Sequence, residues 1–274
     1  MREASFSELP LRVHEAVESY TGPLTGCIPA PAGNHAQIAE TLCTGNGRVF
    51  VKGTRLLPEP YGGAEAWSLR NEAVVNTFAS PYAPELLWQI ELDDWLLLGF
   101  EHIDGRHADY SPGSPDLALV AEVYEWLAAR PCPDAVLLKV EDRYLRLDER
   151  AEALSGDGAV HCDLNPANVL ITTSGARVVD WAFCSRGARW LDLGFLLPWL
   201  VNDGHTPALA EEWARQFEAW KDAEEAGHVD VFASLLMQAW RPRVEAGAAD
   251  WAGNYLGIIE SWNEHRSNLK AAQL

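Results

Sequence analysis

The feature that most constrains this chain is a short β-like interruption inside an otherwise helical second half. Residues 159–180 read AVHCDLNPANVLITTSGARVVD. AVHCDL, NVLIT and ARVVD have the look of short strands, with a turn at Thr173-Ser174-Gly175. On either side the apolar spacing predicts helices over 116–129, 134–154, 190–201, 207–226, 228–240 and 249–268. Pro166 fixes φ and removes a backbone donor, so Asp163 to Asn168 is not helix interior. It reads as a stiff loop able to turn both polar side chains toward one cavity. Asp180 ends the apolar run RVVD, where a lone carboxylate is expensive to bury without a partner. A divalent cation would be such a partner, and carboxylate and amide oxygens suit Mg²⁺, which also takes phosphate oxygens. Phosphoryl transfer needs little more than metal on the phosphates and a carboxylate near the attacking hydroxyl. Asp163 is the candidate for that hydroxyl, and Asn168 and Asp180 for metal.

The first third reads differently. Residues 11–20 form a short amphipathic helix, and TGCIPAPAGNHAQ is a loop-rich patch. Two strand-like runs flank Asn46-Gly47, the best hairpin signal in the chain. Residues 64–79 read as a helix with Leu69, Ala73, Val74 and Phe78 on one side. Strands follow over 86–91 and 95–100, around a turn at Asp93-Asp94. The Gly-, Pro- and Asp-rich stretch near 101–115 marks a lobe boundary.

With 274 residues the chain suffices for one large domain or two lobes. Its 40 Asp and Glu against 21 Lys and Arg give a net charge of −19, which repels nucleic acid and anionic membranes. Five cysteines without a C-x-x-C pair exclude a zinc site and a disulfide framework. The N-terminus lacks the apolar core of a secretion signal, and no apolar run reaches the ~18 residues of a membrane span. A cytoplasmic protein is expected, a monomer or homodimer, with neither nucleic acid nor membrane as partner.

Taken together, HCDLNPANVL, VVDWAF and WLDLGFL resemble the aminoglycoside phosphotransferase family of the protein-kinase-like superfamily. The family's catalytic loop, His-x-Asp-x-x-x-x-Asn, is met by His161, Asp163 and Asn168. Its metal-binding aspartate is met by Asp180. Its later Asp-Leu-Ala/Gly signature, which braces the catalytic loop, is met by Asp192. The resemblance implies an α+β, bilobal kinase-like fold. Residues 1–103 would form a small sheet-rich nucleotide-binding lobe, with a hinge near 100–105, and 104–274 a larger, mostly helical lobe carrying the catalytic loop and the acceptor site.

It also implies ATP or GTP and Mg²⁺ as cofactors. Lys52, on the strand RVFVKG, would hold phosphates, paired with Glu72 or alternatively Glu65. In the hinge, Glu101 would offer its carbonyl and Ile103 its N–H to the base, with Phe100 behind it. The phosphate-covering loop departs from the kinase pattern: AGNHAQ (32–37) has one glycine, with His35 as a possible phosphate contact. Only eleven residues separate Asp180 from Asp192, too few for a peptide-binding activation segment. The acceptor is therefore expected to be a small hydroxylated molecule, an antibiotic or alternatively a metabolite such as choline, homoserine or methylthioribose. Glu211, Glu212, Glu218, Asp222, Glu224, Glu225 and Asp230, against Arg215 and Lys221, form either an acceptor site for ammonium groups or a solvated helix face. Trp181, Trp190 and Trp199 line that site or the core.

Overall fold

The computed structural model describes residues 4–30 and 36–272. The chain forms two compact units, one of residues 1–105 with 177–183, the other of 106–176 with 184–274.

The first unit is built on an antiparallel sheet of β1 (Leu24–Pro29), β2 (Ile38–Thr44), β3 (Gly47–Arg55), β4 (Leu86–Leu92) and β5 (Trp95–Glu101), in the order β1-β2-β3-β5-β4. Two tight turns fix its register. Gly47 takes φ 133° between β2 and β3. Asp93 and Asp94, at φ 48° and 63°, form the two-residue connection of β4 and β5, whose left-handed residues match the twist of the strands. β5 is buried on both faces, as the period of two requires. Leu97 joins Val13 and Val17 of α1 (Leu11–Thr21) in one core cluster. Leu96, Leu98 and Phe100 meet Ala66 and Leu69 of α2 (Ala64–Asn76) in the other.

Two expectations fail here. β1 lies in the stretch read as loop; as an edge strand it tolerates Gly26 and Pro29, which mask it in the sequence. In α2 the buried face is Ala66, Leu69, Glu72 and Val75, rotated from the stripe read from hydropathy, because a buried carboxylate is part of it.

The second unit is mostly helical: α3 (Asp116–Ala128), α4 (Leu191–Asn202), α5 (Pro207–Ala214), α6 (Glu218–Glu225), α7 (His228–Glu245) and α8 (Asp250–Ala271). Short strands β6 (Arg106–His107) and β8 (Val169–Thr172) pair, as do β7 (Gly158–Val160) and β10 (Ser185–Gly187). β9 (Gly175–Val178) leads out of the unit. α4 is buried along most of its length. At Gly194 a Cβ atom would come within 2.8 Å of the Phe232 ring, so this glycine sets the close approach of α4 to α7.

The helix expected over 134–154 does not form. That stretch holds two 3₁₀ turns (Glu141–Arg143 and Glu149–Leu154), and its backbone is drawn into pairing beside β10: Val140 N–H donates to Arg186 O, and Arg186 N–H to Leu138 O. The helix expected over 207–226 is broken into α5 and α6 at 215–217.

Three of the acidic residues of α5 to α7 are used internally. Arg266 on α8 donates to Asp230 at 2.7 Å, to Glu224 at 2.6 Å and to the fully buried Glu211 at 3.2 Å. Arg215 bonds Glu211 and Glu224, and the Trp262 indole N–H donates to Glu211 at 2.7 Å. Three of the seven carboxylates are therefore cross-links between helices, neither an ammonium site nor a solvated face. Removing one partner of a buried ion pair strands the other charge. Arg266→Ala is expected to lower unfolding stability by about 3 kcal/mol, read as a lower urea midpoint at unchanged slope. A loss under about 0.5 kcal/mol, the usual range of surface substitutions, would show that the network does not hold the helices together.

Candidate active site

The candidate residues fall into two constellations, one in each unit. In the first unit, the strand period points Lys52 of β3 and the helix period points Glu72 of α2 toward each other. The Lys52 ammonium donates to both Glu72 oxygens at 2.9 Å and to Asp180 Oδ1 at 2.7 Å. Glu72 is 3% exposed and also accepts the backbone N–H of Trp181 at 3.2 Å. Burial works against the Lys52 ammonium, but the charges of Asp180 and Glu72 outweigh it, and its pKa lies above the usual lysine range. Burial pushes the Glu72 carboxyl up, against the pull of Lys52. Glu65, the alternative partner, instead accepts from the Thr54 hydroxyl at 2.8 Å. Asp180 itself sits at φ 63°, a left-handed conformation that costs a non-glycine residue about 1–3 kcal/mol and concentrates at functional sites.

In the second unit the catalytic-loop candidates come together. Asp192, in the first turn of α4, accepts the backbone N–H of His161 at 3.0 Å through Oδ2 and that of Cys162 at 2.9 Å through Oδ1. Cys162 is held at φ 70°. The buried His161 ring accepts the Asp163 N–H at Nδ1, 3.2 Å away. Asn168 Nδ2 donates to the Asp163 carbonyl and to its Oδ2, both at 2.9 Å. Burial pushes the Asp192 carboxyl up to about 7, although the two backbone N–H groups favour its charged form. Burial also pushes the Cys162 thiol up to about 12, so this cysteine is not a nucleophile despite its place beside Asp163.

In the hinge, the Glu101 side chain is tied to Arg177 at 2.7 Å, and its N–H donates to Glu85 O. The half-buried Ile103 N–H has no partner among the described residues. Phe100 is buried behind it in sequence, 3% exposed. His35 and most of the loop 32–37 lie outside the described residues. Trp181 and Trp190 are core residues, 1% and 4% exposed, whereas Trp199 is only half-buried.

The donor set suits a hard cation. With Asn168 Nδ2 spent on Asp163, the amide oxygen of Asn168 is left without a partner among the described residues. No cluster of three His, Cys, Asp or Glu side chains fit for a metal occurs among the described residues. Mg²⁺ takes one or two protein oxygens and fills its shell with phosphate and water, so it does not require such a cluster.

Residues 108–228 match the model of the phosphotransferase enzyme family, APH. The match includes His161, Asp163, Asn168, Asp180 and Asp192. Over these residues the chain is similar to the phosphotransferases of this family. No curated protein matches it by sequence. Solved structures share its fold at low identity. Spectinomycin phosphotransferase in its AMP-bound complex has a TM-score of 0.62 at 9% identity, covering 92% of this chain and 97% of the other. Choline kinase from Cryptosporidium parvum has 0.58 at 11%, covering 97% and 93%. A microcompartment-associated aminopropanol kinase has 0.56 at 14%, covering 93% and 95%.

One residue of the phosphotransferase loop escaped the sequence reading. Asn165 fills a position that the His-x-Asp-x-x-x-x-Asn pattern leaves open. Its oxygen caps the 3₁₀ turn Pro166–Asn168 by accepting the N–H groups of Ala167 and Asn168. Its amide donates to Asp163 Oδ1 at 2.9 Å. The only sequence signal was an Asn directly before Pro, a capping residue in front of a turn. Asn165 and Asn168 thus grip opposite oxygens of one carboxylate. Asn165→Ala is expected to lower kcat by about tenfold or more while leaving nucleotide KM within about twofold, measured by coupled ADP release. An unchanged kcat would remove Asn165 from the positioning of Asp163.

The Asp192 shift predicts a pH dependence. Its folded value lies above the unfolded one, so the stability it contributes is full below about pH 4 and is lost as pH rises through about 7. Asp192→Asn is expected to flatten that part of the stability profile at a lower overall level, read from urea midpoints at pH 5 and 8. An unaltered slope between those two pH values would contradict it.

Proposed function

We propose that the phosphotransferase moves the γ-phosphoryl group of ATP, or GTP, to a hydroxyl of an antibiotic, with Mg²⁺, giving resistance or self-protection. The observation that carries the transfer reading is Asp163, whose two carboxylate oxygens are held by Asn165 and Asn168 on a loop pinned by Asp192. In this reading Asp163 orients the acceptor hydroxyl and takes its proton. Lys52, kept in place by Glu72, holds the α and β phosphates. Glu101 offers its carbonyl and Ile103 its unpaired N–H to the base. Asn168 and Asp180 would hold Mg²⁺, which when bound neutralises charge on the phosphates. Residues 1–103, with the hinge near 100–105, serve the nucleotide, and 104–274 the catalytic loop and the acceptor. His35 completes the nucleotide set as a phosphate contact. We place the enzyme in the cytoplasm, as a monomer or homodimer.

The antibiotic class is supported by the likeness to spectinomycin phosphotransferase and to an aminoglycoside-3'-phosphotransferase of type VIII. A second reading, a small-metabolite kinase, is supported by the likeness to choline and aminopropanol kinases. Screening ADP release over antibiotic classes and small amino alcohols separates them, since the true acceptor alone combines high kcat with low KM.

General-base and positioning groups contribute about 10²–10⁴-fold. Asp163→Ala is therefore expected to lower phosphotransfer about 10³-fold while the Kd for ATP, measured by calorimetry, stays within about twofold. Normal transfer by this variant would overturn the assignment.

A further inference from the structure

The second unit carries an aromatic cluster of which the sequence pointed only to Trp199. Trp199 comes from α4, Trp240 from the end of α7, and Trp251 and Tyr255 from the start of α8. The Trp199 and Tyr255 rings lie 5.0 Å apart at 34°, Trp240 and Tyr255 4.9 Å apart at 67°, and Trp240 and Trp251 5.5 Å apart at 68°. The cluster grades from buried to open: Tyr255 is 6% exposed and Trp251 46%, with Trp199 and Trp240 between. A core cluster would be closed on every side, and this one is not.

Three observations tie it to the reaction. Asp192 and Trp199 are seven residues apart on α4, hence on one helix face and about 10 Å apart along the axis. The helix that pins the catalytic loop therefore also presents the cluster. Next, the Tyr255 hydroxyl, on a side chain more than nine-tenths buried, has no hydrogen-bond partner among the described residues. Finally, burial, with a further contribution from the Asp163 charge, holds the Tyr255 proton above the usual phenol range, which places the two groups within electrostatic reach.

Charge then selects the occupant. The Arg243 guanidinium lies over the Trp240 ring, 5.0 Å from its centroid, and has no carboxylate partner among the described residues. One aromatic face is thus already taken by a cation, and its charge is unpaired. The nearby Glu260 is spent on Arg241 at 2.8 Å, and Glu211, Glu224 and Asp230 on Arg266.

We propose that the acceptor lies on this aromatic face, its hydroxyl led to Asp163 past Tyr255, and that it is a hydroxylated ring compound without positive charge. The inference rests on the phosphotransferase reading and narrows its acceptor. Apolar ring faces stack on Trp and Tyr, whereas a polycation on the Trp240 face would be repelled by Arg243 at contact distance.

The test is ADP release by the full chain with uridine and an N-acylated, hence neutral, amino sugar as uncharged probes, and kanamycin as the polycation. Turnover is expected with an uncharged ring compound and not with kanamycin. Trp240→Ala is expected to raise the KM of that compound about tenfold with nucleotide KM within about twofold. Because Trp240 is half-buried, the exposed Arg243→Glu serves as the second variant, and it is expected to admit kanamycin as a substrate that the wild type does not turn over. The inference is overturned if none of the uncharged probes is turned over. It is equally overturned if the wild type turns over kanamycin. The phosphotransferase reading fails separately, if Asp163→Ala retains transfer.

Discussion

The loop that carries Asp163 depends on one buried carboxylate. Asp192 receives two successive backbone N–H groups from the catalytic loop, at His161 and Cys162. That pair of bonds holds Cys162 in a left-handed conformation and so sets the direction in which Asp163 leaves the backbone. The loop contains Pro166 and cannot satisfy itself by helical bonding. Side chains do it instead: Asn165 caps the turn, Asn168 bonds the Asp163 carbonyl, and both amides grip its carboxylate. A rigid core helix, α4, thereby fixes a loop that has almost no regular structure of its own. The position at the helix N-terminus and the two N–H donors favour the charged Asp192, while burial opposes it, and the balance leaves the group near neutrality.

The first unit solves a different problem, one cation between two anions. Lys52 has three N–H donors, and all three are spent, two on Glu72 and one on Asp180. Glu72 has a further donor in Trp181 N–H, and Asn71 of the same helix donates to Ala182 O at 3.0 Å. The α2 helix is therefore bonded to the segment that follows Asp180 by backbone as well as by charge. In the proposed reading, phosphate oxygens would gain a Lys52 donor only in competition with Asp180, so nucleotide grip and the charge around Asp180 would be linked through a single ammonium group.

What the sequence made legible was local or motif-bound. Asn46-Gly47 and Asp93-Asp94 mark hairpins because two residues suffice to form the turn. His161, Asp163, Asn168 and Asp192 stand at motif spacing because a six-residue loop and one helix start bring them together. The failures are long-range. Residues 134–154 have helical composition, but Leu137, Leu145 and Leu147 remain exposed, and pairing beside β10 won over helical propensity. The acidic run of α5 to α7 looked like a surface because its main counter-ion, Arg266, lies 55 residues beyond Glu211. Asn165 went unread because its partners are a backbone turn and a carboxylate already assigned to another amide.

That same run shows why net charge is a poor guide to this enzyme's acceptor. A chain at −19 attracts cations from a distance, but charges beyond about 8 Å are screened at physiological salt. The field can favour encounter without deciding what binds. Selection within the second unit falls to groups in contact with the ligand, and three of the seven carboxylates that seemed to offer ammonium sites are already bonded to Arg215 or Arg266. The aromatic cluster brings together ring faces, a buried phenol and an Arg243 guanidinium that has no carboxylate partner among the described residues. In the proposed acceptor site the contact groups then have the opposite sign from the chain as a whole, and at contact distance such groups outweigh a screened field.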